Sequence, residues 1–175
     1  NTLEYMGCSV LHADAFEDNY IWLVTQDRPD NKSTRPTIII DPGDEVILPT
    51  PTYSTHIRQV QIASGKPVLV PLIEDKGFRL DVEKIKNAIT SKTRAIMFCS
   101  PNNPTGTVFS EQNLIKLAEI ALQHELMIIT DEAYEYFVFD ENKHFSIASI
   151  PEMKKNVIST YTFTKTYAMT GWRIG

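Results

Sequence analysis

The chain has 175 residues, 42% of them apolar, enough for one sizeable core, and 17 basic against 22 acidic side chains leave a formal charge of −5. With no run of like charges, no apolar stretch of membrane-spanning length and no signal-peptide pattern at the N-terminus, neither nucleic acid nor a membrane is an expected partner, and the cytoplasm is the default compartment. Two cysteines, Cys8 and Cys99, and four scattered histidines, His12, His56, His124 and His144, offer neither a disulfide framework nor a metal-binding turn, and the seven glycines form no GxGxxG or GxxxxGK[ST] loop.

In chain order, residues 1–40 read as extended segments at 9–12, 20–24 and 37–40 with no crossover helix between them. This is the pattern of an antiparallel meander, with the polar stretch 27–35 as its exposed loop. The composition changes near Asp41, so a β-rich segment 1–40 is expected to precede a separate region 41–175. From Gly43 onward short β-rich runs alternate with amphipathic stretches, which predicts parallel strands joined by crossover helices. Five strands are expected, at 46–48, 68–70, 95–99, 127–130 and 157–160, each nearly continuously apolar as strands covered on both faces should be. Helices should fill the gaps. One spans 54–64 and stops at Gly65 as its left-handed residue. A second starts at Asp81 and aligns Val82, Ile85 and Ile89. A third is capped by Ser110 and aligns Leu114, Leu117, Ala118, Ala121 and Leu122 at helical spacing. The expected fold class is therefore α/β, a mainly parallel sheet with crossover helices, preceded by a short antiparallel β segment.

Right-handed crossovers put the carboxyl ends of all these strands on one edge, where open α/β sheets bind their ligands. Three loops there are rich in polar groups. They are Ser-Pro-Asn-Asn-Pro-Thr-Gly at 100–106, Asp-Glu-Ala-Tyr at 131–134, and the stretch 161–175 with Lys165 and Arg173. Taken as isolated residues they stay ambiguous. An Asp after a strand, as Asp131 is, serves equally as a helix N-cap. Asn-Pro and Thr-Gly are ordinary turn dipeptides, Arg173 could sit in a surface ion pair, and Tyr53 could be a core tyrosine.

Five motifs in order remove much of that ambiguity: Pro-Gly-Asp-Glu-Val at 42–46, Pro-Thr-Tyr at 51–53, Asn-Pro-Thr-Gly at 103–106, Asp-Glu-Ala-Tyr at 131–134, and Thr-Lys-Thr-Tyr-Ala-Met-Thr-Gly-Trp-Arg-Ile-Gly at 164–175. Over about residues 41–175 they resemble the class I aminotransferases that depend on pyridoxal 5′-phosphate (PLP), with the aspartate-aminotransferase-like fold. The resemblance implies part of a PLP-transferase large domain, and amino-group transfer between an amino acid and a 2-oxo acid. It gives Lys165 the Schiff base with the PLP aldehyde and the later role of base at the substrate α-carbon, chemistry that needs an amine made neutral by burial beside other cations. Asp131 would keep the pyridine nitrogen protonated, making the ring an electron sink. Tyr134 and Asn103 would donate to the ring oxygen O3′. Arg173, with the hydroxyls of Thr162 and Thr164, would hold the phosphate, and Tyr53 would lie against the pyridine face. In the family such chains work as homodimers.

Two of the family's parts are not read in this sequence: the strand and helix that cup the phosphate ahead of Pro42, and the C-terminal small domain with its arginine for the substrate carboxylate. The resemblance is thus to an incomplete segment, and the competing expectation is a catalytically inert α/β fragment that binds PLP weakly. A separate, weaker likeness covers about residues 9–44. Phe-Glu-Asp-Asn-Tyr-Ile-Trp at 16–22 and Ile-Ile-Ile-Asp-Pro-Gly-Asp at 38–44 resemble the opening strands of glyoxalase II-type hydrolases of the metallo-β-lactamase fold. Only scaffold positions match and the metal ligands are missing, so a metal hydrolase ranks last, and a junction is expected at 41–44.

Overall fold

The computed structural model describes residues 40–173 and Ile38 together with the backbone of three earlier strands, β1 (Thr2–Tyr5), β2 (Cys8–Leu11) and β3 (Leu23–Gln26). These three pair antiparallel in the order β1-β2-β3. The meander expected from the sequence is present with different strands: β2 and β3 overlap the segments at 9–12 and 20–24, Thr2–Tyr5 adds a strand that was not expected, and neither Ile38 nor Ile40 is in one. The polar stretch 27–35 and the glyoxalase-like residues 16–22 lie outside the described residues.

At 41–44 the chain makes a β-turn closed by the amide of Asp44 on the carbonyl of Asp41 (3.0 Å). Gly43 there has φ 92°, a conformation that suits glycine after proline. It feeds the elements β4 (Glu45–Thr50), α1 (Ser54–Ile62), β5 (Lys66–Pro71), α2 (Val82–Asn87), β6 (Thr93–Cys99), α3 (Glu111–Gln123), β7 (Met127–Asp131), β8 (Val157–Thr160) and α4 (Phe163–Thr166). The second sheet has the order β5-β4-β6-β7-β8, and every neighbouring pair is parallel. All five expected strands are there. Because β5 lies on one side of β4 and β6 on the other, the winding reverses between them. With right-handed crossovers, that reversal puts α1 on one face and α2 and α3 on the other. The packing agrees: Val60 of α1 meets Val46, Leu48, Ala95 and Met97. Ile85 of α2 and Leu114, Leu117 and Ala121 of α3 pack on Ile47, Ile96, Phe98 and Ile128.

Local signals account for the helix ends. Ser110 Oγ accepts from the amide of Asn113 (3.3 Å) and Asp81 from that of Lys84 (3.0 Å), as their N-cap positions predict. The helix expected at 54–64 is shorter, and its left-handed residue is Ser64 (φ 64°) rather than Gly65. The amide of Gly65 closes the Schellman bond onto the carbonyl of Val60 (2.9 Å). Glycine is needed there for a different reason: a Cβ would come within 2.8 Å of Ile40 Cγ2. Ile89 falls beyond the end of α2 but still packs on the core. No α-helix bridges β7 and β8, where two 3-10 turns, Ile147–Ser149 and Pro151–Lys155, stand instead. Burial also corrects the expectation of strands covered on both faces. It holds for β4 and β6, whereas the edge strand β5 is largely exposed and β7 alternates.

Candidate active site

The reversal of winding makes the carboxyl ends of β4 and β6 the topological switch point, where ligands of such sheets bind. The loop after β4 brings Thr52 and Tyr53, with Tyr53 at the N-cap of α1. One turn on, His56 points inward and is only 1% exposed. Its Nδ1 lies 3.3 Å from Thr52 Oγ1, its Nε2 lies 3.3 Å from Asp131 Oδ2, and the ring of Tyr53 meets the imidazole edge-on at 5.5 Å. Asp131 is the last residue of β7, and its other oxygen accepts from the amide of Ala133 (3.0 Å). One oxygen of this acid thus caps a turn rather than a helix, and the other faces a buried imidazole.

The loop after β6 is built around Asn102, which is buried. Its Nδ2 donates to the carbonyl of Pro51 (3.1 Å) and to Thr105 Oγ1 (2.8 Å), joining the loop after β6 to the loop after β4. Its carbonyl accepts from the amide of Gly106 (2.8 Å), whose φ of 72° makes glycine the fitting residue at that corner. So held, Asn103 donates from Nδ2 to Tyr134 Oη at 3.4 Å. Burial, first, and then the neighbouring Cys99 and Asp131 push the Tyr134 phenol above its ordinary value, partly offset by the bond from Asn103. Lys165 Nζ stands over the Tyr134 ring, 6.0 Å from its centroid. The structure thus gathers Tyr53, Asn103, Asp131, Tyr134 and Lys165 around one edge, with Tyr134 met by Asn103 from the loop after β6 and by Lys165 from α4.

The residues expected to hold a phosphate are arranged more loosely. Thr162 caps α4, accepting from the amide of Thr164 (3.1 Å), and Thr164 is buried in that turn. Arg173 is exposed in the turn that follows, with φ 55° and Nη1 donating to the carbonyl of Thr170 (3.0 Å). A shallow groove between Tyr136 and Tyr161, Phe163 and Tyr167 lies alongside, and of the expected site residues it includes Thr162 alone. Cys99, at the end of β6, donates from Sγ to the carbonyl of Pro101 (3.1 Å), and burial pushes its thiol up to about 12. Sequence reasoning missed His56, Thr52 and Asn102. His56 carried a usable signal: it lies four residues before Val60, on the inward side of α1, just after the Pro-Thr-Tyr motif. Nothing in the sequence told which of two adjacent asparagines would be buried.

Comparison with known proteins places these features in a family. The family model described as aminotransferase class I and II matches residues 23–175, beginning ahead of the motifs that start at Pro42. The chain is 46% identical over 133 residues to an aspartate aminotransferase of Pyrococcus abyssi, covering 76% of this chain and 34% of that protein. It is 48% identical over 138 residues to a probable aspartate/prephenate aminotransferase of Aquifex aeolicus, covering 78% and 35%. Among solved structures, an aromatic aminotransferase from Pyrococcus horikoshii superposes with a TM-score of 0.75 at 44% identity, covering 77% of this chain and 36% of that one. The chain therefore spans about a third of the length of the relatives it matches.

Proposed function

The chain belongs to the class I and II aminotransferases, and on that footing we propose that it carries the cofactor-holding part of an enzyme that moves an amino group between an amino acid and a 2-oxo acid. The cofactor is PLP, and the enzyme works as a homodimer in the cytoplasm. The donor set fits this cofactor in kind: an amine for its aldehyde, a carboxylate for its pyridine nitrogen, and a phenol with an amide for its ring oxygen. When bound, PLP supplies an aldehyde for amine capture and a protonated ring that takes up electrons from the substrate α-carbon.

The remaining work falls to the residues of this chain. Lys165 would hold the aldehyde and would act as the base that takes the proton from the substrate α-carbon. Asp131 keeps a proton on the ring nitrogen. It is oriented by His56 on one oxygen and by the Ala133 amide on the other, so its charge is aimed rather than free to rotate. Tyr134 and Asn103 form a donor pair for the ring oxygen. Tyr134 keeps its proton at neutral pH as any phenol does, burial and then Cys99 and Asp131 push it further from ionising, and it can donate that proton in a hydrogen bond. Tyr53 closes one face of the site. Thr162, Thr164 and Arg173 bind the phosphate. Names of the matched relatives refer to aspartate, prephenate and aromatic amino acids, which supports an α-amino acid as the amino donor.

The observation that carries the reading is the position of Lys165 Nζ over the ring of Tyr134, whose hydroxyl is met by Asn103. Its test is to mix the chain with PLP, reduce with borohydride and map the modified peptide. Label concentrated on Lys165 and lost in Lys165→Ala supports the proposal. Label spread over exposed lysines, unchanged in Lys165→Ala, would refute it.

A further inference from the structure

Strand alternation sends neighbouring acids to opposite faces of β7. Ile129 packs toward the α1 face, and Asp131, two residues on, meets His56 of α1. Ile128 packs toward the α2 and α3 face, and Glu132, the first residue after β7, meets His144 and Ser146, next to Ile147 of that same cluster. Glu132 is 1% exposed. Its Oε1 accepts from Ser146 Oγ and its Oε2 contacts His144 Nε2, each at 2.8 Å. Its backbone is held too, with the amide donating to the carbonyl of Thr160 at the end of β8 (2.9 Å) and the carbonyl accepting from Glu135 (3.0 Å).

We propose that His144 and Ser146 clamp the buried carboxyl group of Glu132 and that this clamp positions Asp131 and Tyr134, making all three positioning residues for the cofactor site. Burying a carboxyl group is costly unless its oxygens are well bonded, and filling the same volume with apolar side chains is often at least as stabilising. The clamp makes sense as a device for fixing geometry. After β7 the chain makes a wide excursion before Ile147 rejoins the core, and the excursion contains no α-helix to stiffen it. Glu132 reaches across it to residues 12 and 14 positions away and pins both ends of the excursion together. Asp131 and Tyr134 sit on the pinned end, one residue before Glu132 and two after. The serine hydroxyl donates to one oxygen of the carboxyl, and the imidazole in its Nε2–H tautomer donates to the other. His144 Nδ1 is buried without a hydrogen-bond partner among the described residues, so the ring gains nothing by turning its proton to that side. An acceptor-only carboxylate is the side chain that satisfies both donors.

The test uses Glu132→Gln, Ser146→Ala and, as the conservative control, Ser146→Thr. Two readouts are taken on the chain without cofactor: its thermal melt, and the titration of the Tyr134 phenol followed by NMR of ring-labelled tyrosine and assigned with Tyr134→Phe. Glu132→Gln and Ser146→Ala should still melt cooperatively, while Tyr134 titrates closer to an ordinary tyrosine because its burial loosens. Ser146→Thr should restore the parent titration. The prediction for cofactor rests on the aminotransferase reading, and it is roughly tenfold weaker binding of PLP in both weakened variants. Folded variants with the parent Tyr134 titration would overturn the clamp, whatever PLP does. Should Glu132→Gln fail to fold, Ser146→Ala decides. Failure of the parent chain to capture PLP would overturn the aminotransferase reading and leave the Tyr134 titration to decide the clamp.

Discussion

The two ends of the parallel sheet each hold a pair of adjacent acids, and they treat them differently. At the amino ends, Asp44 contacts Arg94 Nε (3.2 Å), and Glu45 accepts from Lys66 Nζ (3.0 Å) and Thr90 Oγ1 (2.6 Å). The cations reach in from the surface, with Lys66 66% and Arg94 48% exposed. At the carboxyl ends, Asp131 and Glu132 contact only histidines in their ion pairs among the described residues. Lys165 stands close by over an aromatic ring. The acids at one edge are thus closed by exposed cations, and those at the other are met by histidines. Carboxylates that are not closed by surface cations suit an edge where a ligand must enter.

Breaking the reactive end should give the largest effects and leave the fold alone. Lys165→Ala is expected to reduce PLP attachment to the background on exposed lysines while the melting temperature changes little, because the one contact of its ammonium among the described residues is a distant aromatic one. Asp131→Asn comes next. It keeps the volume of the side chain but removes the charge, so PLP should bind at least about tenfold more weakly. Tyr134 should also titrate lower, since the Asp131 charge is one of the causes that hold it up. Unchanged PLP affinity in Asp131→Asn would show that the acid is only a turn cap.

Breaking the amino end should do the reverse. Glu45→Gln removes a charged acceptor from Thr90 and Lys66 and is expected to cost about 1–2 kcal/mol of stability at neutral pH, with PLP capture intact. The pH dependence follows from sign. The hydrogen bond from Thr90, followed by that from Lys66, lowers the Glu45 carboxyl below its ordinary value of 4.5. Its contribution is therefore present above about 4.5 and is lost as pH falls through the lower folded value. Chemical denaturation from neutral to acid pH should show a steeper loss for the parent chain than for Glu45→Gln. Parallel curves would remove Glu45 from the account.

The contrast between the two ends was only partly legible in the sequence. Continuous apolar runs revealed the five strands, and Ser110 and Asp81 announced their helices, because these signals are local. The direction of the chain then placed Asn103, Asp131, Tyr134 and Lys165 on one edge, and the motifs named their chemistry. Hidden were pairings that close over many residues. His56 with Asp131 spans 75 positions, and Asn102 with Pro51 spans 51, and no pattern within a window of a helix or strand registers either. Gly65 misled for a related reason, since its role is set by Ile40 approaching from another segment.

The smallest expected effect lies at the boundary between stability and function. Cys99 ends a central strand and is nearly fully buried, with its thiol pushed from an ordinary 9.0 to about 12, chiefly by burial and then by the charge of Asp131. In the unfolded chain that thiol ionises first, so stability should fall as pH rises past about 9 and go on falling toward about 12. Tyr134 acts in the same direction above its ordinary value of 10.0. Cys99→Ser preserves a donor for the carbonyl of Pro101 and should cost no more than about 1 kcal/mol at neutral pH. Its stability should then decline less steeply than that of the parent between neutral and strongly alkaline solution, leaving the residual slope to Tyr134. Identical alkaline slopes in denaturant titrations of the two chains would mean that the thiol is not ionising on unfolding. The carboxyl end of the sheet would then owe its alkaline sensitivity to the phenol alone.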